Sequence, residues 1–130
     1  MDALHWQALE HLIGYMQKTR DMGVIISAHS NPKGVTCYVD ANWGGEGNQS
    51  THGFIVMHGG NSIMWQSKQQ VTVAASTAQA EYIALSFAAK EALWLSTMFS
   101  QFLHNALPQL LSDNKTAIGI ANESMSQKQT

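Results

Sequence analysis

Cysteine is nearly absent from this chain. Cys37 is the one cysteine in 130 residues, which excludes an internal disulfide, a paired redox site and a cysteine-built zinc ribbon. It reads instead as a small buried apolar side chain. Charge is scarce as well: 12% of residues are Asp, Glu, Lys or Arg, and the formal net charge is −2. A protein that grips nucleic acid by general electrostatics needs a basic patch, so any such contact here has to be local or carried by metal ions bridging to phosphate. Long hydrophobic runs are missing. No stretch approaches the roughly 18 uninterrupted apolar residues of a membrane span, and the N-terminus lacks the basic-then-apolar order of a secretory leader. The expectation is a soluble, intracellular protein that does not enter a membrane. Six histidines are present, but His5 and His11 are badly spaced for one helical face and the others are scattered, so no zinc site is assigned.

What the chain does have is apolar content, 45% of its residues, enough for one domain with a real core and too little length for two. Trp6, Leu9, Ile13 and Met16 recur at helical spacing in DALHWQALEHLIGYMQK, an amphipathic helix that should pack on something. Gly23 stops that pattern. Val24 to Ser27 is a short β-branched run that reads as a strand, and AHSNPKG after it carries turn signals. From Val35 the period changes to two, with Val35, Cys37 and Val39 alternating against Thr36, Tyr38 and Asp40. A polar, glycine-rich loop follows, then HGFIVMH and SIMWQSK on either side of Gly59, Gly60 and Asn61, which predicts a hairpin.

Ser76 followed by Gln79 is a capping-box signature ahead of AEYIALSFAAKEALWLSTMFSQFL, a long helix. Its larger apolar residues Ile83, Phe87, Trp94, Met98 and Phe102 form a stripe expected to lie against a sheet. QLLS then reads as a short buried strand and NKTAIGIAN as a shorter helix with Ala117, Ile118 and Ala121 on one face. ESMSQKQT, residues 123–130, is a polar tail expected to fray. A three-stranded antiparallel meander, a long helix and a further strand make an α/β fold with a mixed sheet, the last strand being reached as a parallel neighbour through a right-handed crossover.

Only nine acidic residues are present, and three stand in apolar company. Asp40 ends a strand, Glu81 lies in the first turns of the long helix, and Asp113 follows QLL. Each has an ordinary reading, as a turn former, as a partner of the helix dipole and as an N-cap. Together they occupy positions that a crossover topology brings to one edge of a sheet. Three carboxylates about 4 Å apart would repel by roughly 4 kcal/mol per pair at an effective dielectric of 20, so a divalent cation is expected among them. Mg²⁺ suits carboxylate and water oxygens, and two such ions can support phosphodiester hydrolysis.

YVDANWGG, SKQQVTVAASTAQAEYIAL, AAKEALWL and SDNKTAIGIA closely resemble the RNase H domain of Ty1/copia-type retrotransposon polyproteins. HWQALEHLIGYMQKTRDMGVIIS resembles the segment that leads into it from the reverse transcriptase. The resemblance runs nearly to Asn122 and implies an RNase H-like fold at residues 31–122, preceded at 1–30 by the lead-in helix and strand. It also implies cleavage of the RNA strand of RNA–DNA hybrids with two Mg²⁺ or Mn²⁺ ions. Asp40, Glu81 and Asp113 match the family's catalytic, metal-binding acids. Family members commonly carry Asp where this chain has Asn42 and Glu where it has Gln79. Their pattern continues into a His-Ile-Asp segment with a further strand and helix, so the domain is expected to be incomplete at its C-terminal end and to lack a fourth ligand.

Ser67, Lys68 and Gln69, placed on the loop before the long helix, and Asn114 with Lys115 are candidates for phosphate or sugar contacts. Trp43 and Trp65 are candidates for stacking on a nucleotide, although core packing is the commoner fate of Trp65. The partners implied are an RNA–DNA hybrid and the reverse transcriptase domain of the same polyprotein. The implied place is the cytoplasm within a retrotransposon particle, or the nucleus. Two other readings stand beside this one: an inactive remnant that keeps the fold and weak hybrid binding, and an interaction domain whose N-terminal helix docks on a polymerase domain.

Overall fold

In a computed structural model, the described residues are 2–28, 34–44, 49–101 and 107–126. Strand β1 (Val35–Asn42) pairs antiparallel with β2 (Thr51–His58), and β2 pairs antiparallel with β3 (Asn61–Gln69). The β2–β3 connection is Gly59-Gly60, with φ of 57° and 81°. Both lie in the left-handed region that a type I′ turn demands, and glycine enters it without a Cβ penalty. Asn61 belongs to β3 rather than to the turn. Helix α2 (Thr77–Phe99) then carries the chain over the sheet to β4 (Gln109–Leu111), which joins β1 in parallel, and α3 (Lys115–Ser126) follows. The resulting order, β3-β2-β1-β4, is the mixed sheet that the sequence pattern predicts.

One face of this sheet makes the core. Val35, Cys37 and Val39 of β1 and Phe54 and Val56 of β2 meet Ala84, Leu85, Ala88, Ala92 and Leu95 of α2, with Ala117 of α3 closing the cluster. The predicted stripe on α2 is therefore not the buried face, although Ile83 is half-buried and Phe87 stacks on His52 of β2. Phe87, Trp94 and Met98 are exposed, while Ala80, Ala84, Ala88 and Ala92 are fully buried; Phe102 lies outside the described residues. Small side chains let the helix axis approach the sheet closely, and the bulky residues are displaced to its flanks. Trp65 also departs from expectation, being 60% exposed. It pairs with Ile55 on the alternate face of the sheet, and no described helix packs there, since α3 contacts α2 alone.

Helix α1 (Ala3–Thr19) buries none of its residues and touches no other described element. Its apolar face is real, but the surface it should pack on is not among the described residues. Val24–Ser27 belongs to no strand. In place of a ladder, Ser27 N donates to Asn61 Oδ1 at 2.7 Å and Asn61 Nδ2 donates to Ser27 O at 3.1 Å, so one side chain at the hairpin does the work of a neighbouring strand. At the other end α3 continues through Glu123 to Ser126. The expected frayed tail is thus helical over its first residues, because neither Gly nor Pro occurs from Ile120 to Ser126 and each added residue adds a backbone hydrogen bond; residues 127–130 lie outside the described set.

Candidate metal centre

Asp40 stands near the end of β1 opposite Gly53, exposed, with Oδ1 accepting from Ala41 N at 2.8 Å. Asp113 follows β4, which runs parallel to β1 with Tyr38 opposite Leu111. The two acids therefore leave adjacent parallel strands at the same edge. Asp113 does not serve as the N-cap of α3. Asn114 does, its Oδ1 accepting from Ala117 N at 3.0 Å, which leaves the aspartate free to face its neighbours.

Glu81 arrives from α2. The helix starts where the sequence places it: Ser76 Oγ accepts from Gln79 N at 3.2 Å, and Gln79 Oε1 accepts from Ala75 N at 2.7 Å. This start turns Glu81 toward the sheet, where it is 5% exposed. One ligand oxygen from each of Asp40, Glu81 and Asp113 lies within 4.8 Å of the other two. Among the described residues no other His, Cys, Asp or Glu joins this group.

Burial first, and then the negative charges of Asp40 and Asp113, push the Glu81 carboxyl above its ordinary value, while the Ala41 backbone draws it down. Its Oε2 is buried without a hydrogen-bond partner. A buried, partnerless carboxylate oxygen on a residue grouped with two other acids is costly in a bare site. A hard divalent cation among the three acids would offset their repulsion, and the all-carboxylate donor set fits Mg²⁺ or Mn²⁺.

The other predicted contacts are placed less tightly. Ser67, Lys68 and Gln69 are the last residues of β3, not a loop, since the antiparallel ladder continues to Thr51 opposite Gln69. Ser67 shares the cross-strand row of Asp40 through Gly53, two strands away. Lys68 instead pairs with His52. Asn114 is committed to its cap, and Lys115 is exposed beside it. Trp43 donates through Nε1 to Ala74 O at 2.8 Å, strapping the chain after β1 to the connector before α2. Sequence reasoning missed Ser50, His52 and Gln70, all buried polar residues. Their signal is weak, because a polar residue at a strand end reads as solvated until the opposing helix is in place.

Among solved structures the chain resembles the crystal structure of LC11-RNase H1 in complex with RNA/DNA hybrid. The TM-score is 0.52 and the identity 18%, over 68% of this chain and 61% of that one. Together with the sheet order, this defines the class: the protein has an RNase H-like fold. No protein family model matches the chain. In sequence it is 33% identical over 126 residues to the retrovirus-related Pol polyprotein from transposon TNT 1-94 of Nicotiana tabacum, covering 93% of this chain and 9% of that protein. It is 32% identical over 99 residues to the corresponding polyprotein from transposon RE2 of Arabidopsis thaliana, covering 75% and 7%. A third relative, secreted RxLR effector protein 161 of Plasmopara viticola, is 42% identical over 94 residues, covering 71% and 66%. The chain is thus a homologue of Ty1/copia-type retrotransposon Pol polyproteins and spans less than a tenth of the length of the two named here.

Proposed function

We propose that the chain is the RNase H-type nuclease of a retrotransposon polyprotein, hydrolysing the RNA strand of RNA–DNA hybrids during reverse transcription. The convergence of Asp40, Glu81 and Asp113 within 4.8 Å carries this reading. The hybrid in the similar RNase H1 structure and the polyprotein homologues support it. The three acids would hold two Mg²⁺ or Mn²⁺ ions, and such ions, when bound, lower the pKa of a water and stabilise the leaving oxygen. Glu81 anchors the group from the dry side, and the two aspartates face solvent where a phosphodiester can approach. Ser67, Gln69 and Lys115 are the proposed contacts to the hybrid backbone. The lead-in segment at 1–30 would serve the polyprotein: α1 exposes Leu4, Trp6, Leu12, Ile13, Tyr15 and Met16, a surface suited to the reverse transcriptase part. The place of action on this proposal is the cytoplasm within the retrotransposon particle, or the nucleus.

The test is hydrolysis of a labelled RNA–DNA hybrid in Mg²⁺ or Mn²⁺ by the chain and by Asp40→Asn and Glu81→Gln. Cleavage lost in both variants is the expected result. Equal cleavage by all three sinks the mechanism, and cleavage by none identifies an inactive remnant that keeps the fold.

A further inference from the structure

Asp40 and Asp113 are registered to each other by the β1–β4 ladder, whereas Glu81 comes from a helix with no ladder to the sheet. The face that α2 lays on the sheet is a row of fully buried small residues, Ala80, Ala84, Ala88 and Ala92, with Leu85 and Leu95 buried beside it. Apolar packing of this kind is close but not directional, so on its own it does not set the rotation of α2 and its position along the sheet to the fraction of an ångström that a multi-carboxylate site needs.

Gln70 supplies a direction. It follows β3 directly, is 1% exposed, and its backbone N donates to Ser50 O at 2.7 Å, which holds it to the strand end of β2. Its side-chain Nε2 donates to Ala80 O at 2.9 Å, the carbonyl immediately before Glu81. The opposite end of the amide, Oε1, is buried without a partner. Turning the amide over would set that oxygen against the Ala80 carbonyl, acceptor against acceptor, so the donor end is the one that must face the helix. A continuous path then runs from Asp40 through its partner strand β2 and Ser50 to Gln70, Ala80 and Glu81. The Trp43 strap reaches the connector at Ala74 but not the helix itself.

We propose that Gln70 is a positioning residue for the metal centre, setting the turn of α2 that carries Glu81 relative to the strands that carry the two aspartates. It touches neither ion nor substrate. The inference rests on the metal-dependent reading of the site. Its test uses the whole chain, with Mn²⁺ binding followed by electron paramagnetic resonance beside hybrid cleavage and thermal stability. Gln70→Met keeps the length of the side chain and removes the donor. The expected result is Mn²⁺ affinity lower by about ten-fold and a reduced kcat with KM within about two-fold. Val56→Ala, a core truncation away from the acids, serves as the stability control. It should lower the melting temperature at least as much and leave Mn²⁺ affinity unchanged. If Gln70→Met binds Mn²⁺ like the unaltered chain, or if Val56→Ala weakens binding equally, the positioning role is overturned while the proposed function stands. If the unaltered chain binds no Mn²⁺, both are overturned.

Discussion

Asp40 and Glu81 bring carboxylate oxygens within 4.8 Å of each other, one from an exposed strand end and the other from the buried face of a helix. Two like charges so close strain the bare protein and favour it once a cation lies between them. Saturating Mg²⁺ or Mn²⁺ is therefore expected to raise the melting temperature by roughly 10 °C at a hundred-fold excess over Kd. Asp40→Asn should make the metal-free chain more stable and abolish most of that gain. Differential scanning fluorimetry across a metal titration reads both effects; an Asp40→Asn chain that keeps the full metal-induced shift would contradict them.

The raised Glu81 pKa sets a pH dependence whose sign follows from linkage. The folded state keeps this proton to higher pH than the unfolded state does. The stability it contributes is fully present below the ordinary glutamate value and is lost as pH rises through the higher folded value. Without metal, urea midpoints should fall with rising pH across that window, and Glu81→Gln should flatten the fall. With saturating Mg²⁺ the slope should reverse, because the bound ion selects the ionised carboxylate.

His52 is expected to act in the opposite direction. Burial, and then the charge of Lys68, lower its pKa, with Gln66 opposing them. The ring stacks on Phe87 at 4.9 Å between centroids, and both its nitrogens are buried. The neutral ring is the folded form, so the stability tied to it is present above the ordinary histidine value and is lost as pH falls through the lowered one. His52→Phe keeps the stack and removes the titration. Its acid denaturation profile should be shallower than that of the unaltered chain, and an unchanged profile would show that the loss arises elsewhere.

Cys37 is fully buried in β1, and burial pushes its thiol up to about 11. The thiolate is the reactive form, so labelling in native buffer should be slow and should accelerate to the rate of a free thiol in denaturant. As the single cysteine, it reports unfolding without engineering. Rapid labelling under native conditions would mean that β1 opens readily.

The order of elements, the Gly59-Gly60 hairpin, the Ser76 start of α2 and the three acids that come together were legible in the sequence. These are local matters of period, turn chemistry and capping, together with residue types out of place in apolar surroundings. The sequence pattern misjudged the buried face of α2, the exposure of Trp65 and the strand at Val24–Ser27. Each of those depends on what lies opposite: a helix shows a sheet its small residues when close approach is worth more than bulk, and an extended run becomes a strand only where a partner strand exists. Tertiary structure alone decided that Asn114 rather than Asp113 caps α3. It alone leaves Glu81 Oε2 buried without a partner and places Gln70, a polar residue with no pattern around it, against the carbonyl before Glu81. Those are facts of distance between segments far apart in the chain, and no local periodicity encodes them.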